Sequence, residues 1–90
     1  MPESSEAAIT LAGDLHARPA GSLALAAAGF ASAVELAVGG TSADAKSVLS
    51  VMGLGATTGK QVVVRATGPD ASEAVAAIIG ILAQATPVGG

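Results

Sequence analysis

The chain has 90 residues, a net charge of −3 and 51% hydrophobic positions, with Phe30 its only aromatic. That length supports one domain around one shared core. The four cations Arg18, Lys46, Lys60 and Arg65 are too scattered to form the basic patch that nucleic acid requires.

There is no cysteine, hence no disulfide framework, thiol nucleophile or thiolate metal site, and one histidine with seven carboxylates is a poor metal inventory. No metal and no cofactor are expected. The core must be packed from Val, Ile, Leu, Met and Ala, which suits helices lying on a sheet.

In chain order, the polar leader Met1-Pro2-Glu3-Ser4-Ser5-Glu6 is unlike the basic start of a signal peptide. Ala7-Ala8-Ile9-Thr10-Leu11 reads as a short strand, and Gly13-Asp14 turns the chain. The only histidine follows, in Leu15-His16-Ala17-Arg18-Pro19-Ala20. Pro19 is tolerated only in a helix's first turn, because it lacks an N–H and its ring clashes with a preceding turn. A helix is therefore predicted from Ala17 to Ala28, with Gly29 closing it. Its apolar run from Leu23 to Ala28 falls far short of the roughly 20 residues that span a bilayer, so no membrane segment is expected and the default is a soluble, cytoplasmic protein.

Val34-Glu35-Leu36-Ala37-Val38 alternates like a strand with one buried face, and Gly39-Gly40 favours a tight reversal into Thr41-Ser42-Ala43. Ser47-Val48-Leu49-Ser50-Val51-Met52 reads as a short helix with Ser47 as N-cap, ended by Gly53-Leu54-Gly55. Gln61-Val62-Val63-Val64-Arg65-Ala66-Thr67 is the clearest strand, and Gly68-Pro69 breaks it. Asp70 is placed to cap a last helix, with Glu73 completing a capping box. Val75, Ile78, Ile79 and Leu82 form that helix's buried stripe, and Thr86-Pro87-Val88-Gly89-Gly90 a fraying tail. The order βαββαβα implies an α+β open-faced sandwich: an antiparallel sheet of four strands covered on one face by three helices.

The start of the first helix is where chemistry is expected. Its unpaired N–H groups and the positive end of its dipole attract anions. A neutral imidazole is a good nucleophile, and at a usual pKa of about 6.5 His16 is largely neutral near pH 7. Arg18 supplies a guanidinium that can fork around phosphate oxygens.

Two segments carry a family resemblance. Leu15-His16-Ala17-Arg18-Pro19-Ala20 resembles the active-site signature of the histidine-containing phosphocarrier (HPr) family of the bacterial phosphoenolpyruvate:sugar phosphotransferase system. The segment from Asp44 through Ser47 to Gly55 resembles that family's second signature, around its regulatory serine. Gly59 to Val64 and Gly68 to Ala74 are similar to its last strand and the start of its last helix. The match covers Ala7 to Ala83, which implies a single HPr-like domain over residues 1–90 with residues 1–6 and 85–90 as flexible tails.

The resemblance implies that His16 accepts a phosphoryl group from enzyme I and passes it to enzyme IIA domains, with Arg18 assisting and the backbone of Ala17 and Arg18 holding phosphate oxygens. It implies a relay rather than an independent enzyme. Ser47 would be a regulatory phosphorylation site where a serine kinase/phosphorylase exists. Gly21, Val48, Leu49, Met52 and Leu54 would form the partner-docking face, with Leu49 and Met52 as exposed anchors and Gly21 permitting close approach. A shuttle using one face for several partners is expected to be a monomer.

Two departures stand out. Asp14 takes a place where the family has glycine, and a carboxylate there would raise the His16 pKa and repel phosphate. The first helix carries no charge after Arg18, so docking should rest more on apolar contact than on steering. The competing reading is a regulatory binding module of the same fold, reporting phosphorylation state to a transcription regulator, or a member of a nitrogen-linked phosphotransfer branch.

Overall fold

The computed structural model describes residues 3–13, 15 and 17–84, without the side chains of Ala17 and Arg18. Seven elements follow in the order β1 (Glu3–Thr10), α1 (Ala17–Ala28), β2 (Ala33–Val38), β3 (Thr41–Asp44), α2 (Val48–Met52), β4 (Gln61–Gly68) and α3 (Ala71–Leu82). The strands form one antiparallel sheet in the order β1-β4-β2-β3. The helices lie on one side of it, which is the expected open-faced sandwich.

Alternation along the strands sets the two faces. Val34 and Leu36 on β2, and Val62, Val64 and Ala66 on β4, point under the helices and are buried. Helix α3 lies along β1 and β4, while α1 packs against both α3 and α2. Ala20, Leu23, Ala24 and Ala27 form the buried stripe of α1. On α3 the stripe is Ala71, Ala74, Val75, Ile78 and Leu82, while Ile79 is only partly buried against the core. Methionine takes no part in the core among the described residues, because Met52 is exposed.

On the outer face one register row crosses all four strands: Glu6, Arg65, Glu35 and Asp44. Arg65 donates to Glu6 at 2.8 Å and to Glu35 at 3.1 Å. This row corrects the expected start of the first strand. Residues 3–6 are not a flexible leader; Glu3 to Glu6 pair with Gly68 to Arg65. An edge strand with a solvated face needs no apolar run, so its polar half extends β1 through backbone bonds and the Glu6 ion pair.

The end of α3 nearest β4 departs from expectation in a second way. Asp70 precedes α3 but makes no side-chain capping bond. Its carboxylate instead accepts from the amides of Ala31 and Ser32, each at 2.9 Å, and from the Ser32 hydroxyl at 2.5 Å. The same hydroxyl accepts the Asp70 amide at 3.2 Å. The carboxylate thus ties the turn entering β2 to the turn entering α3, and Ser32 is buried in the process.

Those donors favour the ionised form, the Ser32 hydroxyl most and the Ala31 amide next, and hold the Asp70 pKa below the usual value. A carboxylate whose folded pKa lies below its unfolded one adds stability above the unfolded pKa. That contribution is lost as pH falls through the folded pKa. The thermal midpoint should therefore fall with acid below about pH 4, and Asp70→Asn should flatten that fall. Circular dichroism melts between about pH 2.5 and pH 7 check it; equal slopes in both proteins would remove Asp70 from the account.

Candidate functional site

Helix α1 begins at Ala17, the residue directly after His16. Two features place that start. The Leu15 amide donates to the Ala56 carbonyl at 2.9 Å, which fixes the approach to the helix against the loop after α2. Leu15 itself packs on the core. Pro19 falls at the third helical position, where no intrahelical N–H bond is due, and the buried stripe from Ala20 to Ala27 then holds the helix down. The amides of Ala17 and Arg18 belong by position to the unpaired first turn. No acidic residue lies in that turn, so the helix dipole there is not neutralised from within.

His16 and Asp14 lie outside the described residues, as do the side chains of Ala17 and Arg18. The expectations for the imidazole, the guanidinium and the carboxylate beside them therefore rest on sequence. What the structure supplies is the frame around them.

The second expected segment is described in full. Ser47 caps α2 in an extended conformation, its hydroxyl accepting the Ser50 amide at 3.3 Å while its carbonyl accepts from Val51 at 3.0 Å. Asp44 organises the approach, accepting the amides of Lys46 at 2.9 Å and Ser47 at 3.0 Å. Lys46 reaches back to the Phe30 carbonyl at 3.2 Å. The cap is thus built as the sequence predicts.

Val51 is the one buried residue of α2, and burying it turns the rest of the helix outward. Leu49 is 84% exposed, Met52 47% and Val48 37%. All three expected docking residues of α2 are therefore accessible. Leu54 is not: it is 7% exposed and belongs to the core. After Gly53 ends α2, the Leu54 amide bonds back to the Val51 carbonyl at 3.2 Å, which folds the side chain under the helix. Gly21 is half-buried on α1, and a Cβ there would meet nothing within 4 Å. Its small size is not demanded by the fold.

One apolar residue escaped the sequence reading. Leu25 is exposed on α1. The signal was available in the helical phase: a stripe through Ala20, Leu23, Ala24 and Ala27 leaves Leu25 on the other side.

Comparison with known proteins assigns the family. The family described as the phosphorylation site of the HPr component of the phosphotransferase system matches residues 3–84. The chain belongs to the HPr family. It is 39% identical over 70 residues to the phosphocarrier protein HPr of Cupriavidus necator, covering 78% of this chain and 79% of that one. It is similar in structure to the histidine-containing phosphocarrier protein of a Mycoplasma, with a TM-score of 0.76 and 33% identity over 91% of this chain and 99% of that one. It also resembles Crh, the catabolite-repression protein of Bacillus subtilis described as an intertwined dimer. There the TM-score is 0.72 and the identity 34%, over 82% of this chain and 85% of that one. As an HPr protein it is a phosphocarrier component of the phosphotransferase system. Among the described residues no helix is long and apolar enough to cross a membrane.

Proposed function

We propose that this chain carries a phosphoryl group on His16, accepts it from enzyme I and passes it to enzyme IIA domains during sugar uptake. The observation that carries the reading is the start of α1 immediately after His16, with the preceding residue tied to Ala56. Phosphoryl transfer needs little covalent machinery from the protein; positioning and charge stabilisation do most of the work. The neutral imidazole attacks the phosphorus as the donor's bond to it breaks. The amides of Ala17 and Arg18 hold the phosphate oxygens, and the Arg18 guanidinium stabilises the group as it passes. The resulting phosphoramidate is a high-energy linkage, so onward transfer to another histidine is nearly isoenergetic.

Val48, Leu49 and Met52 form the docking surface beside this helix, and Gly21 allows a partner's backbone or side chain to come close. Exposed, adaptable methionine suits a surface that meets more than one partner. The chain acts as a single-domain monomeric shuttle in the cytoplasm.

Ser47 is the site for regulation by a serine kinase/phosphorylase. A phosphate there adds nearly two negative charges at the head of α2, where they are tolerated, so the modification changes recognition more than fold. The likeness to the catabolite-repression protein favours a second role on the same surface, reporting the phosphorylation state to a transcription regulator.

The test is intact-protein mass spectrometry after incubation with phosphoenolpyruvate, magnesium and enzyme I of the same organism. One acid-labile phosphoryl adduct is expected on the native chain and none on His16→Ala. A folded native chain that gains no adduct, beside an enzyme I active on another carrier, would sink the relay.

A further inference from the structure

Four large apolar side chains are exposed among the described residues, and all four lie on α1 and α2. Three of them, Val48, Leu49 and Met52, belong to the docking surface above. The fourth, Leu25, is 78% exposed in the middle of a twelve-residue helix. The fold gives it no core contact that would account for its type.

Its place on the helix is informative. Gly21 and Leu25 fall at i and i+4, so they share one stripe of α1. Leu25 lies only about 12 Å along the axis from the helix start that follows His16. A donor that reaches His16 through an interface of ordinary size covers about 800 Å² on each partner, a patch roughly 30 Å across. Such a donor overlies Leu25 as well as the neighbouring α2.

The charge pattern then defines the partner. Arg18 is the only charged residue of α1, and α2 has none. A surface with so few charges offers little to an acidic partner and much to an apolar one. We propose that Leu25 is a specificity-determining residue of the relay. With Leu49 and Met52 it gives the docking face three apolar anchors, matched to a phosphoryl donor whose facing surface is apolar rather than acidic. This rests on the relay reading above.

The test measures the steady-state kinetics of phosphorylation by enzyme I of the same organism, with phosphoenolpyruvate and magnesium, as the carrier concentration is varied. Leu25→Ala should raise the KM for the carrier about tenfold with kcat unchanged, the signature of lost docking rather than lost chemistry. Leu25→Met should keep the native KM. The native KM should change less than about twofold between roughly 50 and 500 mM NaCl, because apolar contact is not screened. Thermal melts of both variants should match the native chain.

A native KM in Leu25→Ala, or a native-chain KM rising about tenfold with salt, would overturn the proposal. The two readings fail separately. Absence of any adduct on the native chain removes the relay itself, whereas an adduct on His16 with an unmoved KM removes Leu25 alone.

Discussion

Gly68→Ala should destabilise the fold by about 3 to 5 kcal/mol and lower the thermal midpoint by well over 10 °C. Two effects combine. Gly68 has φ of +146°, a backbone region that side chains with a Cβ rarely adopt. A Cβ there would also lie 2.6 Å from the Ser32 hydroxyl oxygen, 2.7 Å from its Cα and 2.9 Å from its Cβ. The second of those atoms is backbone and cannot rotate away. Relief requires moving the segment at Ser32, and that segment is held by the Asp70 carboxylate. Alanine at this one position therefore strains the last residue of β4 and loosens the tie between β2 and α3. Chemical denaturation with thermal melts measures it. A midpoint within about 5 °C of the native value would mean that the Ser32 segment yields at little cost.

Leu23→Ala comes next, with an expected loss of about 4 kcal/mol. Leu23 is fully buried and centres the inner stripe of α1. Its neighbours on that stripe are Ala20, Ala24 and Ala27, which have no flexible side chains to swing into the space. The cavity should therefore stay open, which places the cost toward the upper part of the usual range. A domain of this size is typically stable by only about 5 to 13 kcal/mol, so the variant should be close to unfolding near body temperature. Urea titration followed by circular dichroism tests this, with Leu25→Ala as the control two positions away. If the two variants lose similar stability, the inner and outer faces of α1 have been assigned wrongly.

Those two positions also show how much was legible in the sequence. The bounds of α1 follow from Pro19 and Gly29, which punctuate the chain locally, and the structure agrees with them to the residue. Strand β4 announces itself by its run of valines and differs only in including Gly68. The early half of β1 could not be read, because its pairing is backbone to backbone and its outward residues are polar. The Asp70 tie was hidden for a different reason. Asp70 and Glu73 have capping-box spacing, but the partners that win the carboxylate lie 38 and 39 residues earlier. At the site, the cap at Ser47 was readable, while His16 lies outside the described residues. The inward turn of Leu54 was not, since an apolar residue after a five-residue helix can face either way until the Gly53 turn is known.

The acidic row on the outer face of the sheet has an electrical consequence for a protein that must receive an anion. A net charge of −3 would ordinarily repel a donor bearing a phosphoryl group. Glu6, Glu35 and Asp44, however, stand on the far side of the sheet from the helices. Physiological salt attenuates such fields over about 8 Å, less than the depth of a helix laid on a sheet. Asp70 is set beside Ala31, beyond the far end of α1. These far-side carboxylates thus add little to the field a phosphorylated partner meets from the helical side, where Arg18 and Asp14 stand nearest His16 in the sequence. Their charge can keep carriers apart from one another without turning donors away.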